Sequence, residues 1–289
     1  MPTAGQPTAS PAAGRLDASH PGEDGRALVT GASSGIGAAF ARALRSRGHR
    51  LVLVARRAER LRRLSEELGG ESEAAFIPLD LRTPDAADSL EREVRERGLR
   101  VDVLVNDAGV GDTGRFDRSS PARALEIVDV NVRAVVALTR AFLPGMVERR
   151  AGAVVNVVSM SAFQPVPFLA AYAASKAFVL SFTEAVAEEV RASGVRVQAL
   201  CPGLVHTEFQ AVAGTDRVPF NRAPSVDAAA VVRASLDALE NGPVRVFPAW
   251  RDRATVGLQR FTPRPLVLRI ARELFRPPPP AGPATPPRR

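Results

Sequence analysis

Seven short apolar runs, separated by longer segments with helical spacing, are the feature that most limits what this chain can become. The runs are residues 27–29, 51–54, 75–77, 103–105, 154–158, 195–200 and 244–247. Between them, residues 57–68, 84–97, 121–149 and 170–192 repeat apolar side chains at three- and four-residue intervals, the period of a helix with one buried face. A run that is apolar on successive residues buries both of its faces, which requires a parallel sheet covered by helices on either side. The expected fold class is therefore α/β, a doubly wound parallel sheet of about seven strands.

The first run leads into Thr30-Gly31-Ala32-Ser33-Ser34-Gly35-Ile36-Gly37, which opens directly into a helical segment. Glycines there permit a tight turn and let backbone N–H groups approach a pyrophosphate resting on the positive end of the helix. A strand before and a helix after meet the context that a Rossmann-type dinucleotide site demands. Gly31, Ser33, Ser34, Gly35, Ile36 and Gly37 are the candidate cradle. The second run ends in Val54-Ala55-Arg56-Arg57, with no carboxylate until Glu59. An NAD site places a carboxylate there for the ribose 2′-hydroxyl, whereas guanidinium groups suit a 2′-phosphate. Arg56 and Arg57 thus point to NADP(H) over NAD(H), against a reading in which both are solvated residues at a helix start.

The chain holds one tyrosine and one lysine, and they stand four residues apart as Tyr172 and Lys176. Every other Lys/Arg position is arginine, so the lysine marks a place that needs a compact ammonium. On a helix this spacing puts both side chains on one face. The ammonium is expected to lower the phenol pKa from about 10, making Tyr172 a general acid or base. The competing reading is a solvated surface pair.

The glycine turn, Tyr172-x-x-x-Lys176 and Ser159, thirteen residues before the tyrosine, together resemble the short-chain dehydrogenase/reductase family in its compact single-domain form, over residues 26–250. The resemblance implies an NADP(H)-dependent oxidoreductase that transfers a hydride between nicotinamide and a carbonyl or secondary alcohol. Tyr172 would be its general acid/base, and Lys176 would bind the nicotinamide ribose. Ser159, rather than Ser161, would hold the carbonyl oxygen, and Asn131 would anchor a water leading from Lys176 to solvent. Asp80 and Leu81, Asn106, Ala108 and Gly109, and Pro202, Gly203, Val205 and Thr207 complete the cofactor residues so implied, and a homodimer or homotetramer is the implied assembly. Asp107 departs from the pattern, since the family usually has asparagine there and an ionised carboxylate cannot donate hydrogen bonds. Residues 163–169 and the substrate loop 204–223 are mostly apolar, which suits a lipophilic or medium-sized substrate. The rival function is a non-catalytic NADP-binding sensor or scaffold on the same fold; an intact Asn, Ser, Tyr and Lys set favours the enzyme.

The formal charge of +8 is a property of the C-terminal part: residues 251–289 hold nine arginines against Asp252 and Glu273, and the remainder is nearly neutral. This argues against a nucleic-acid partner. One cysteine, Cys201, and three histidines supply neither a disulfide nor a metal cluster, which fits a cytoplasmic protein. The N-terminus has neither a basic start nor an apolar run and reads as no signal peptide, and no stretch reads as a membrane span. Residues 1–25 and the proline-rich 277–289 are expected to be disordered. Residues 251–276 form a basic amphipathic segment in which Leu266, Ile270 and Leu274 recur every four residues. Such a helix either packs on its own domain or a partner, the preferred reading, or lies on an anionic membrane.

Overall fold

A computed structural model describes residues 25–278, so the two expected disordered extensions lie almost entirely outside the described residues. All seven apolar runs are strands: β1 (Gly25–Thr30), β2 (Arg50–Ala55), β3 (Ala74–Pro78), β4 (Arg100–Asn106), β5 (Gly152–Val157), β6 (Val195–Leu200) and β7 (Arg245–Val246). They form one parallel sheet in the order β3-β2-β1-β4-β5-β6-β7. The order reverses between β1 and β4, and the crevice at their carboxyl ends is where such sheets bind ligands.

Among the described residues ten α-helices accompany the strands: α1 (Gly35–Ser46), α2 (Ala58–Glu67), α3 (Ala86–Glu96), α4 (Pro121–Val128), α5 (Ala134–Glu148), α6 (Ala170–Glu189), α7 (Glu208–Ala213), α8 (Ala228–Leu239), α9 (Trp250–Gln259) and α10 (Arg264–Leu274). Strand side chains alternate between faces, and here both destinations are apolar. Ala27, Val29, Leu51 and Leu53 pack with Phe40 and Leu44 of α1, Leu61 of α2 and Leu236 of α8. Their neighbours Leu28, Val52 and Val54 pack with Leu90 of α3, Leu138 and Phe142 of α5 and Val186 of α6. Phe40 and Leu44, one turn apart on α1, are both buried, and each such side chain contributes roughly 1.5–3 kcal/mol.

A polar insert crosses this apolar interior. Asn106 on β4 stands opposite Asn156 on β5 in the strand register. The Asn106 amide donates to Asn156 Oδ1 at 2.8 Å, and the Asn156 amide donates to Thr183 Oγ1 of α6 at 2.9 Å.

Two expectations change. The helical stretch Pro121–Glu148 is, by length and composition, apolar enough to cross a membrane, although the sequence was read as having no such stretch. Its apolar character follows from its place in the core: Ile127, Val130, Leu138, Phe142 and Met146 are buried. The stretch also contains a π-helical segment, Asp129–Arg133, between α4 and α5, a local widening that is frequent at functional sites. The stripe on α10 does not face one way: Leu266 and Ile270 are exposed, Leu274 borders the crevice, and Ala271 and, just past the helix, Phe275 are buried.

Candidate active site

A cleft of about 580 Å³ opens at the carboxyl ends of the central strands, within the usual range for small-molecule sites. Its wall begins with the glycine turn. Gly31 and Gly35 have φ of +69° and +58°, values that only glycine adopts without strain. Gly37 has ordinary φ but no room, because a Cβ there would lie 2.5 Å from the Gly31 carbonyl oxygen. Thr30 joins β1 to β4: its hydroxyl donates to the Val105 carbonyl and accepts from the N–H groups of Asp107 and Ala108.

Of the residues expected at the site, all line this cleft except Gly37, Asn106 and Asn131. Gly37 serves the close approach of turn and helix. Asn106, expected at the cofactor, turns its amide into the buried network with Asn156 and Thr139. Asn131 lies buried in the π segment, where its Oδ1 accepts from the Val110 N–H and its Nδ2 donates to the Val110 carbonyl and to Ser175 Oγ. The wider turn lets one side chain brace the strand β4 loop and α6 together.

Tyr172 and Lys176 project from α6 into the cleft beside Ser159. The Ser159 hydroxyl stands beside the phenol, whose pKa it lowers, and accepts from the N–H and hydroxyl of Ser161, at 3.2 and 2.9 Å. Ser161, weighed from sequence only as a rival for Ser159, orients it. The Lys176 ammonium donates to the Val157 carbonyl at 2.7 Å and lies 5.9 Å from the centre of the Tyr172 ring.

The electrostatics correct the expected direction for Tyr172. Burial disfavours the phenolate and pushes the phenol up to about 12; the Ser159 hydroxyl opposes this and nearby Asp107 reinforces it. Burial likewise pulls the Lys176 ammonium down to about 8, partly offset by Asp107. Loss of water therefore outweighs the attraction that spacing alone predicts. Asp107 is itself raised to about 7 by burial, with Lys176 and the Gly37 N–H opposing.

At the opposite end of the cleft, Arg57 spans the glycine turn. It donates to Ser33 Oγ and Ser34 Oγ, each at 2.9 Å through one terminal nitrogen, and to Glu208 at 2.7 Å. Arg60 donates to the other oxygen of Glu208 at 2.6 Å. Arg56 reaches Glu126 instead, at 3.4 Å. Asp80 is held by Arg82, which together with the Asp80–Arg82 N–H contact lowers its pKa. The glycine cradle and the Tyr/Lys/Ser wall fit a dinucleotide along one cleft. Among the described residues no cluster suits a metal ion.

Residues 204–223 and the C-terminal segment supply lining residues that spacing did not single out. Thr207 caps α7, accepting from the Phe209 N–H while its own N–H donates to Gln210 Oε1. This brings the Phe209 ring to 5.3 Å from that of Tyr172. From the C-terminal segment, the Asp252 carboxylate lies close against Gly203, and Gln259 donates to Gln164 at 2.8 Å. Phe275 stacks on Phe220 at 4.7 Å, beside Val166, Leu169 and Ala173. Thr207-x-x-Gln210 is a capping box legible in the sequence, whereas Asp252, Gln259 and Phe275 carry no local motif and meet their partners across long stretches of chain.

The short chain dehydrogenase family model matches residues 26–217. The chain is 42% identical over 188 residues to a short chain dehydrogenase of Pseudocercospora fijiensis, covering 64% of this chain and 61% of that protein. It is 35% identical over 193 residues to a very-long-chain 3-oxoacyl-CoA reductase of Bos taurus, covering 63% and 60% respectively. The chain thus spans about three fifths of the length of these curated relatives. Among solved structures, a short-chain dehydrogenase from Sphingobium yanoikuyae in complex with NADPH superposes with a TM-score of 0.71 at 32% identity, over 82% of this chain and 96% of that one. A neighbour from Burkholderia phymatum is in complex with NAD. The protein belongs to the short-chain dehydrogenase/reductase family, on a seven-stranded Rossmann-type sheet.

Proposed function

We propose that this protein is an NADP(H)-dependent reductase of lipophilic or medium-sized carbonyl compounds, working in the cytoplasm as a homodimer or homotetramer and also able to oxidise the matching alcohol. The observation that carries the reading is convergence: Ser159, Tyr172 and Lys176 share one cleft with the glycine turn and Arg57. When bound, the nicotinamide supplies or accepts the hydride. The chain's own residues position the substrate and move the proton. Ser159, fixed by Ser161, donates to the carbonyl oxygen so that developing negative charge meets a preset hydrogen bond. Tyr172 Oη delivers the proton to that oxygen, and a phenol held near 12 keeps its proton throughout the neutral range. Lys176 favours the phenolate left behind and, through the region braced by Asn131, takes part in its reprotonation.

Arg57 and Arg56 support the NADP preference, since two guanidinium groups line the end of the cleft where a 2′-phosphate belongs. Phe209, Val166, Leu169 and Phe275 support a lipophilic substrate. The test is a panel of ketones and aldehydes with NADPH, followed at the nicotinamide absorbance band, on the wild type and Tyr172→Phe. The variant should lose at least 99% of turnover, roughly 2.7 kcal/mol of transition-state stabilisation, while binding NADPH as before. Substantial turnover by Tyr172→Phe overturns the proton-donor role. Tight NADPH binding with no turnover of any panel member favours the sensor.

A further inference from the structure

The C-terminal helices have two unlike faces. The inner face is built into the active site through Asp252 on Gly203, Gln259 on Gln164 and Phe275 on Phe220. The outer face has nothing against it among the described residues. Trp250 and Leu258 of α9 are 83% and 68% exposed, and Phe261, which follows α9, is 88% exposed. Leu266 and Ile270 of α10 are exposed as well, whereas the partly exposed Leu274 lines the cleft. These five are among the twelve exposed large hydrophobic side chains of the described residues, gathered within 21 consecutive positions. That density exceeds the scattered singles normal for a soluble surface.

The same stretch displays cations. Arg253, Arg260, Arg264, Arg269 and Arg272 are exposed and form no ion pair or side-chain hydrogen bond among the described residues. The two nearby acids are engaged elsewhere, Asp252 at Gly203 and Glu273 with Arg276. An isologous interface with a second copy would bring these arginines together with no acid to pair them. An anionic lipid surface offers the complement, phosphates for the guanidinium groups and an acyl boundary for Trp250, Leu258 and Phe261.

We propose that the outer face of α9 and α10 docks on anionic phospholipid bilayers and holds the mouth of the catalytic cleft at the lipid surface. Docking stands on the surface alone; supply of a lipophilic carbonyl compound from the bilayer rests on the reductase reading. Because the inner face is part of the site, truncation is a poor test, and surface substitutions are used instead.

Trp250 is the chain's only tryptophan, so its emission reports on this face directly. In lipid-free buffer the full chain should show the red emission of water-exposed indole. It should shift blue on vesicles of phosphatidylcholine with phosphatidylglycerol, little on phosphatidylcholine alone, and less as salt is added, because the Debye length is about 10 Å at 0.1 M. Replacing Arg260, Arg264 and Arg269 together by Gln should weaken partitioning roughly a hundredfold, from about 1 kcal/mol per arginine at an anionic surface. Leu258→Ser with Phe261→Ser should weaken it too. None of these positions lines the cleft, so NADPH oxidation with a small soluble ketone should persist and thermal midpoints should stay near wild type. That activity control separates failure of docking from failure of the reductase reading. Absence of any blue shift on anionic vesicles overturns the proposal. So does unchanged partitioning of the arginine variant. Blue emission already present without lipid also overturns it, whether it reddens on dilution, as a second copy would cause, or does not, as the chain's own residues would.

Discussion

Replacing Asp107 by Asn should stabilise the protein, and more so at high pH than at low. In the folded chain burial raises this carboxyl from 3.8 to about 7, so the native state binds its proton more tightly than the unfolded chain does. Stability is therefore full below about pH 4, falls as pH rises towards 7, and levels off above. Three units at 1.36 kcal/mol each give about 4 kcal/mol at the upper limit. Asp107 lines the open cleft and is only half-buried there, so solvent screening reduces the gain from the amide; the Gly37 N–H and Lys176, which favour the carboxylate, are already included in the shift. A net gain of roughly 1–3 kcal/mol remains at pH 8, where Asp107 is ionised, and a few tenths at pH 5. Lys176, held near 8, is charged over most of this range and adds little slope of its own. Scanning calorimetry at pH 5 and 8 should show the midpoint difference between variant and wild type growing to about 2–12 °C at the higher pH, at about 2–4 °C per kcal/mol for a domain of this size. An equal shift at both values, or a lower midpoint at pH 8, would refute the argument from burial.

Lys176→Arg keeps the charge but brings a larger planar fork to a site where a compact ammonium donates to the Val157 carbonyl, so carbonyl reduction should fall at least tenfold in steady-state assays. Ala55→Asp with Arg56→Ile should move cofactor preference towards NAD by about ten- to a hundredfold, read from the two dissociation constants, since a lost charge-assisted contact costs roughly 1.5–3 kcal/mol. Gly37→Ala forces a Cβ to 2.5 Å from the Gly31 carbonyl. It should cost about 1–3 kcal/mol in chemical unfolding through strain in a packed turn.

The strand layout was legible because sheets buried on both faces leave dense apolar runs, and each of the seven runs lies on a strand. The glycine turn and the Tyr172/Lys176 pair were legible because their partners lie within a few residues. Other features depend on contacts that spacing does not encode. Arg57 meets Glu208 across 151 positions, and Gln259 meets Gln164 across 95. The spacing of Leu266, Ile270 and Leu274 left open what α10 packs on, and docking of Phe275 beside Val166 and Leu169 sets its orientation. The phenol shift was misread because a neighbour's charge is local, whereas desolvation is contributed by the whole fold.

The paired amides of Asn106 and Asn156 also bear on how the sheet assembles. Shifting β4 by a single residue along β5 would set Asn106 opposite Val155 or Val157, and would leave both amides without each other in a dry interior. Each orphaned amide costs about 1–3 kcal/mol, whereas Val, Leu and Ala around them would tolerate the slip. The two asparagines thus act as an alignment key in an otherwise interchangeable row of aliphatic residues, and they favour one zipping of the central strands over its neighbours.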